Sequence, residues 1–126
     1  MDYTIKKNNM DKMNEIFLTL TKCGDVLVHV RATLNAPALT ECGDVYLNDV
    51  DATFNAPALT ECRNVFVRID STFNAPALTK CRYVSVNSAG ATFNAPALTE
   101  CGHVSVRAGA TFNAPALTEY WERRGK

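Results

Sequence analysis

Several things are scarce or missing in this chain of 126 residues, and each absence removes a class of protein. There is no net charge: 13 Lys plus Arg balance 13 Asp plus Glu. As whole-molecule readings, a strongly basic nucleic-acid binder and an acidic mimic are therefore excluded. No apolar run approaches the roughly 18 residues of a membrane span, so no membrane partner is expected. The first residues, MDYTIKKNNMDKMNEIFLTLTK, carry charges through their apolar part and lack a small-residue cleavage site. They do not read as a secretory signal, and a cytoplasmic, reduced protein is the expectation. Five cysteines are too few and too oddly numbered for a secreted disulfide scaffold. None has the C-x2-4-C spacing of a metal site. Only two histidines exist, His29 and His103, and no glycine-rich phosphate loop or paired-carboxylate motif appears. Catalysis needs groups that converge in a pocket. The expectation is a non-enzyme without cofactor or metal.

What is present is repetition. The hexapeptide NAPALT begins at Asn35, Asn55, Asn74, Asn94 and Asn113, at intervals of 20, 19, 20 and 19. Cys23, Cys42, Cys62, Cys81 and Cys101 keep the same rhythm. A unit this small cannot bury a core alone; stacked units bury one together, each touching its neighbours. The chain reads as a solenoid of about five coils spaced by roughly 4.8 Å, the distance between adjacent strands.

After each Cys, two variable residues precede an apolar-x-apolar pair: Val26/Val28, Val45/Leu47, Val65/Val67, Val84/Val86 and Val104/Val106. This alternation predicts a half-buried strand, stacked into one parallel sheet. The one-residue difference in unit length falls just after it, which predicts a length-tolerant turn there. The segment T-F-N-A-P-A-L forms the return side. Its proline forbids a regular helix and biases the preceding alanine to extended backbone. Leu34, Phe54, Phe73, Phe93 and Phe112 are expected to stack inward, as is the Leu39 series.

The spacing Leu39-x-x-Cys42-x-x-Val45-x-Leu47 resembles the leucine-rich repeat, with Cys at the second apolar position. The five units from Leu20 to Val106 fit it, although the family's Asn position holds Arg31, Val50, Asp70, Ala89 and Gly109. The wording A-T-F-N-A-P-A-L is also similar to short repeats of phage and prophage-type bacterial proteins. The resemblance implies a rigid, generally protein-binding scaffold.

The cysteine ladder reads as a row of small buried hydrophobes. The Asn ladder reads as side chains bonding the turn before Ala-Pro. Two Thr ladders begin at Thr33 and Thr40. Flat Thr arrays are used by ice-binding solenoids, but these need T-x-T on one strand face. Only Thr19/Thr21 supplies that, so ice binding is not expected.

The outward strand positions, in contrast, change in every copy. Leu27, Tyr46 and Phe66 fall at one height in adjacent coils, with Tyr83 one pleat away in the next. They form an exposed apolar stripe, a mark of interaction sites. Arg68 and Arg107 lie on the same face, and Tyr and Arg commonly anchor interfaces. Charge is polarised along the stack. Residues 1–60 hold 5 basic and 8 acidic groups, net −3; residues 61–126 hold 8 and 5, net +3. Such a gradient orients a partner of complementary charge.

At the ends, residues 9–17 read as a short amphipathic helical cap with Asn9 or Asp11 as N-cap. Tyr120 and Trp121 are expected to cover the far end. The predicted segments are 1–16 with the helical cap, a solenoid over 17–119, and a cap and tail over 120–126. The fold expected is a right-handed, single-sheet β-solenoid of leucine-rich-repeat type. The function expected is a protein-binding module with Leu27, Tyr46, Phe66, Arg68, Tyr83 and Arg107 at the contact. A phage-type inhibitor of a bacterial host or defence protein, an enzyme or nucleoprotein complex, is the leading form. A tail- or adhesin-like structural piece or an end-to-end homodimer is the alternative. Nucleic-acid binding along the Arg row is a third.

Overall fold

Valines that alternate with polar residues, and coils too short to fold alone, give a stack. A computed structural model describes residues 1–118 and the backbone of residues 121–124. The elements run β1 (Tyr3–Ile5), α1 (Met10–Ile16), β2 (Val26–Val28), β3 (Thr33–Asn35), β4 (Val45–Leu47) and β5 (Thr53–Asn55). They continue with β6 (Asn64–Val67), β7 (Thr72–Asn74), β8 (Lys80–Val86), β9 (Thr92–Asn94), β10 (Glu100–Val106), β11 (Thr111–Asn113) and β12 (Trp121–Arg124). The molecule is a β-solenoid of about six turns.

One parallel sheet of seven strands has the order β1-β2-β4-β6-β8-β10-β12. A second, of five, has the order β3-β5-β7-β9-β11. Sequence reading gave one sheet and an extended return; the return side is itself a ladder. Its proline comes two residues after the strand ends, so every Thr-x-Asn segment keeps its backbone donors. A third, thinner ladder joins Lys22, Glu41, Glu61 and Lys80 by single bridges.

The core lies between the sheets. The paired valines of the first sheet face the Phe series of the second, and all but Phe112 of these are buried. Phe54, Phe73, Phe93 and Phe112 stack with centroids 5.2, 5.0 and 5.2 Å apart and interplanar angles of 8°, 3° and 10°. Cys42, Cys62, Cys81 and Cys101 are buried free thiols at the corner between ladders. The length-tolerant turn sits where it was expected, alternating between four and five residues after the first-sheet strand. Each such turn passes through the left-handed region, at Arg31, Asp51, Asp70, Gly90 and Gly109.

The extra turn comes from the N-terminal segment. Three residues, Tyr3-Thr4-Ile5, are too short an alternation to stand out, yet they pair with β2. Helix α1 takes the place of a strand beside β3. Asn14 donates through Nδ2 to the Thr33 carbonyl (3.1 Å) and accepts from the Asn35 N–H (2.8 Å), closing the edge of the second sheet. Asn9 is the residue before the helix, but its side chain binds backward, accepting from Lys6 N–H and donating to the Thr4 carbonyl. At the far end β12 pairs with β10, His103 opposite Trp121. The expected Tyr120 contact, and the Trp121 side chain, lie outside the described residues.

Candidate functional site

Alternation sends every second residue of the seven-stranded sheet outward. The register places Leu27 opposite Tyr46, Tyr46 opposite Phe66, and Phe66 opposite Ser85. One pleat away, Asn64 faces Tyr83, and Tyr83 faces His103. The rings join across these two rows. Tyr46 and Phe66 stack at 5.2 Å and 5°, Phe66 meets Tyr83 at 5.8 Å and 59°, and Tyr83 meets His103 edge-on at 4.8 Å. The result is a diagonal ridge of four rings over four coils, half-buried along its length.

Arg68 and Arg107 occupy a flanking row, just past the strands, with Asn87 in the coil between. All three are exposed, and the two guanidinium groups have no ion-pair partner among the described residues. The six sequence-predicted residues thus share one face. The rings are in contact, and the arginines stand beside them about two coil spacings apart, on the order of 10 Å.

The acidic end of the face is bound up in the fold. Asp2, Asp25 and Asp44 each accept, through Oδ1, the backbone N–H of the residue one coil ahead: Asp25, Asp44 and Asn64, at 2.8, 2.8 and 3.2 Å. This arrangement also requires glycine beside it, since a Cβ at Gly43 would meet the Asp25 carboxylate. Arg63 turns to the same carboxylates, 3.4 Å from Asp25 and 3.6 Å from Asp44. Tyr46 Oη donates to Asp44 Oδ2 at 3.1 Å, and that hydrogen bond raises the Tyr46 phenol above its ordinary value. His29 stands 3.2 Å from Asp49. The acids of the early coils are thus largely engaged, by backbone N–H groups, Arg63 or His29, whereas Arg68 and Arg107 are exposed.

Sequence reasoning left His103 out of the contact set, although its place in register with Tyr83 was readable from the repeat. It also missed the carboxylate ladder, which the two C-G-D segments signal. The Asn series binds along the stack and not to the turn: Asn55 donates to Asn35, Asn94 to Asn74, and Asn113 to Asn94, at 2.9, 2.8 and 2.6 Å.

The thiols are held as a core ladder. Burial pushes Cys23 up to about 12. A hydrogen bond to Cys42 and then burial raise Cys62; a hydrogen bond to Cys101 and then burial raise Cys81. Cys101, accepting from Cys81, is lowered. Among the described residues no group of three or more His, Cys, Asp or Glu is placed to hold a metal ion, and no helix is long and apolar enough to cross a membrane. No family model, curated protein or solved structure matches the chain.

Proposed function

We propose that the protein is a non-enzymatic protein-binding module whose contact surface is the outward face of the seven-stranded sheet. The observation that carries this reading is the continuous ridge Tyr46, Phe66, Tyr83 and His103 with Arg68 and Arg107 beside it. Aromatic and Arg side chains grouped on a rigid support are the usual anchors of an interface. Tyr46 and Phe66 spend their faces on one another, which leaves edges for a partner. A base-stacking platform needs open ring faces, so the ridge favours a protein over a single-stranded nucleic acid.

A rigid face of this kind acts by occupation, covering a partner's surface or the mouth of its substrate channel. The narrower reading, a phage-type inhibitor of a bacterial host or defence protein, rests on the repeat wording as analogy. The test is affinity capture from a bacterial lysate read by mass spectrometry, with Tyr46→Ala/Phe66→Ala as control. One soluble partner at fixed stoichiometry, lost with the double variant, is the expected result. Capture that is unchanged by the double variant would contradict the reading. Steep salt dependence of whatever is bound would move the assignment to nucleic acid.

A further inference from the structure

The opposite face obeys different rules. On the five-stranded sheet the outward residues are Thr and Asn in every coil, in register from β3 to β11. None of these ten positions is charged. The two rows are spaced by two strand residues, about 6.6 Å, and repeat at about 4.8 Å along the stack.

Three observations separate this array from ordinary exposed threonines. First, the array keeps one register through all five coils, and the phenylalanine rings beneath it stack within 3° to 10° of parallel. Second, the two Thr ladders differ in how their hydroxyls are used. In the other ladder each hydroxyl binds the carbonyl one coil back, as Thr60 does to Thr40 at 3.1 Å and Thr79 to Thr60 at 3.2 Å. The hydroxyls of Thr72 and Thr92 make no hydrogen bond to another described residue, so they are open to the solvent. Third, a shallow trough of about 540 Å³ lies along the later coils of the face, lined by Thr and Asn side chains and by Phe112. It has room for a file of waters held by hydroxyls on one side and amides on the other. The Asn wall is held by its own amide hydrogen bonds, Asn94 to Asn74 at 2.8 Å and Asn113 to Asn94 at 2.6 Å, so that side is ordered before any ligand arrives.

We propose that this Thr–Asn face binds ice, holding the ordered water of the crystal surface on a two-dimensional array of hydroxyl and amide groups. Charge selects the partner: a face without ionisable groups fits a neutral lattice and offers nothing to an ionic one. Preordered donors and acceptors lower the entropic cost of fixing the water layer. The Asn row takes the place of the second Thr of the T-x-T pattern, which is why the sequence alone pointed away from this activity. The proposal stands apart from the reading of the seven-stranded sheet.

The test uses the full chain in dilute buffer, with single ice crystals viewed during slow cooling. Expected are faceted crystals and a gap between melting and growth temperatures. Thr72→Lys/Thr92→Lys should abolish both while leaving the thermal melt of the protein unchanged. Tyr46→Ala/Phe66→Ala should leave both intact. Round, unshaped crystals with no gap from the unaltered protein would overturn the proposal. So would a gap that survives the double lysine variant. Retention on crystalline cellulose with no effect on ice would overturn it in favour of a neutral polysaccharide.

Discussion

In register with Tyr46, the seven-stranded sheet carries Leu27, Phe66, Ser85 and Ser105 in the other repeat coils, with Thr4 in β1 and Arg123 in β12 beyond them. In register with Thr72, the five-stranded sheet carries Thr in all of them. Both faces hang on the same stack and cover the same kind of core, valine ladders under one and phenylalanines under the other. The repeat therefore tolerates variation at outward strand positions, as the first face demonstrates five times. Uniformity on the second face has a partial structural reason, the Asn ladder. For the Thr row the fold supplies none beyond strand propensity. The difference teaches that variation and sameness are both signals when one chain holds several copies: on the proposed readings, a varied face suits one particular partner and a uniform face a periodic one.

The core common to both faces sets the largest expected effect. Phe73→Ala removes a ring stacked between Phe54 and Phe93 and should cost about 3–5 kcal/mol of unfolding free energy, measured by urea titration. It should unsettle both faces together. The Tyr46→Ala/Phe66→Ala pair should separate them. Loss of two anchors lowers affinity for the captured partner by about 100-fold or more. Stability should change far less, because both rings are half-buried on the outside. A large loss of stability with unchanged binding would erase the distinction between the faces.

The thiol corner gives a pH prediction. Cys23, Cys62 and Cys81 hold their protons more tightly folded than unfolded. Their contribution is therefore fully present below the unfolded thiol value of 9.0 and is lost progressively as pH rises above it, through about 12 for Cys23. The lowered Cys101 offsets part of this. Melting temperature should be level near neutrality and fall above pH 9, less steeply in Cys62→Ala.

Smaller effects sharpen the contrast further. Asn74→Ala interrupts the amide ladder and should cost about 1 kcal/mol, with no change in partner affinity. Arg31 sits at φ 55° in a turn where two other coils use Asp51 and Asp70 and the last two use Gly90 and Gly109. Arg31→Gly should raise stability by under about 1 kcal/mol, the left-handed strain relieved exceeding the chain entropy added.

Much of this architecture could be read from spacing. The valine pairs, the cysteine rhythm and the position of the variable turn follow from a period that only stacking satisfies. The second sheet was harder, because Thr-Phe-Asn is three residues long and sits beside a proline that argues against regular structure. What decides it is hydrogen bonding to the coils before and after, a property of the stack and not of the segment. β1 was invisible for the same reason: it lacks the Cys and the hexapeptide, and only its pairing with β2 makes it a strand. The ridge was readable as far as Leu27, Tyr46, Phe66 and Tyr83, since the repeat gives their register. The continuation to His103 depends on ring orientation. The engagement of Asp25 and Asp44 with backbone N–H groups depends on a close approach between coils that only the glycines hint at.

The central claim is that the ringed face, and not the Thr–Asn face, makes the protein contact. The most direct measurement is calorimetric titration of the captured partner, once purified, with three proteins side by side. These are the unaltered chain, Tyr46→Ala/Phe66→Ala, and Thr72→Lys/Thr92→Lys. The account predicts equal affinity for the first and third and a loss of about 100-fold or more for the second. Loss confined to the lysine variant, with the aromatic variant binding normally, would contradict it.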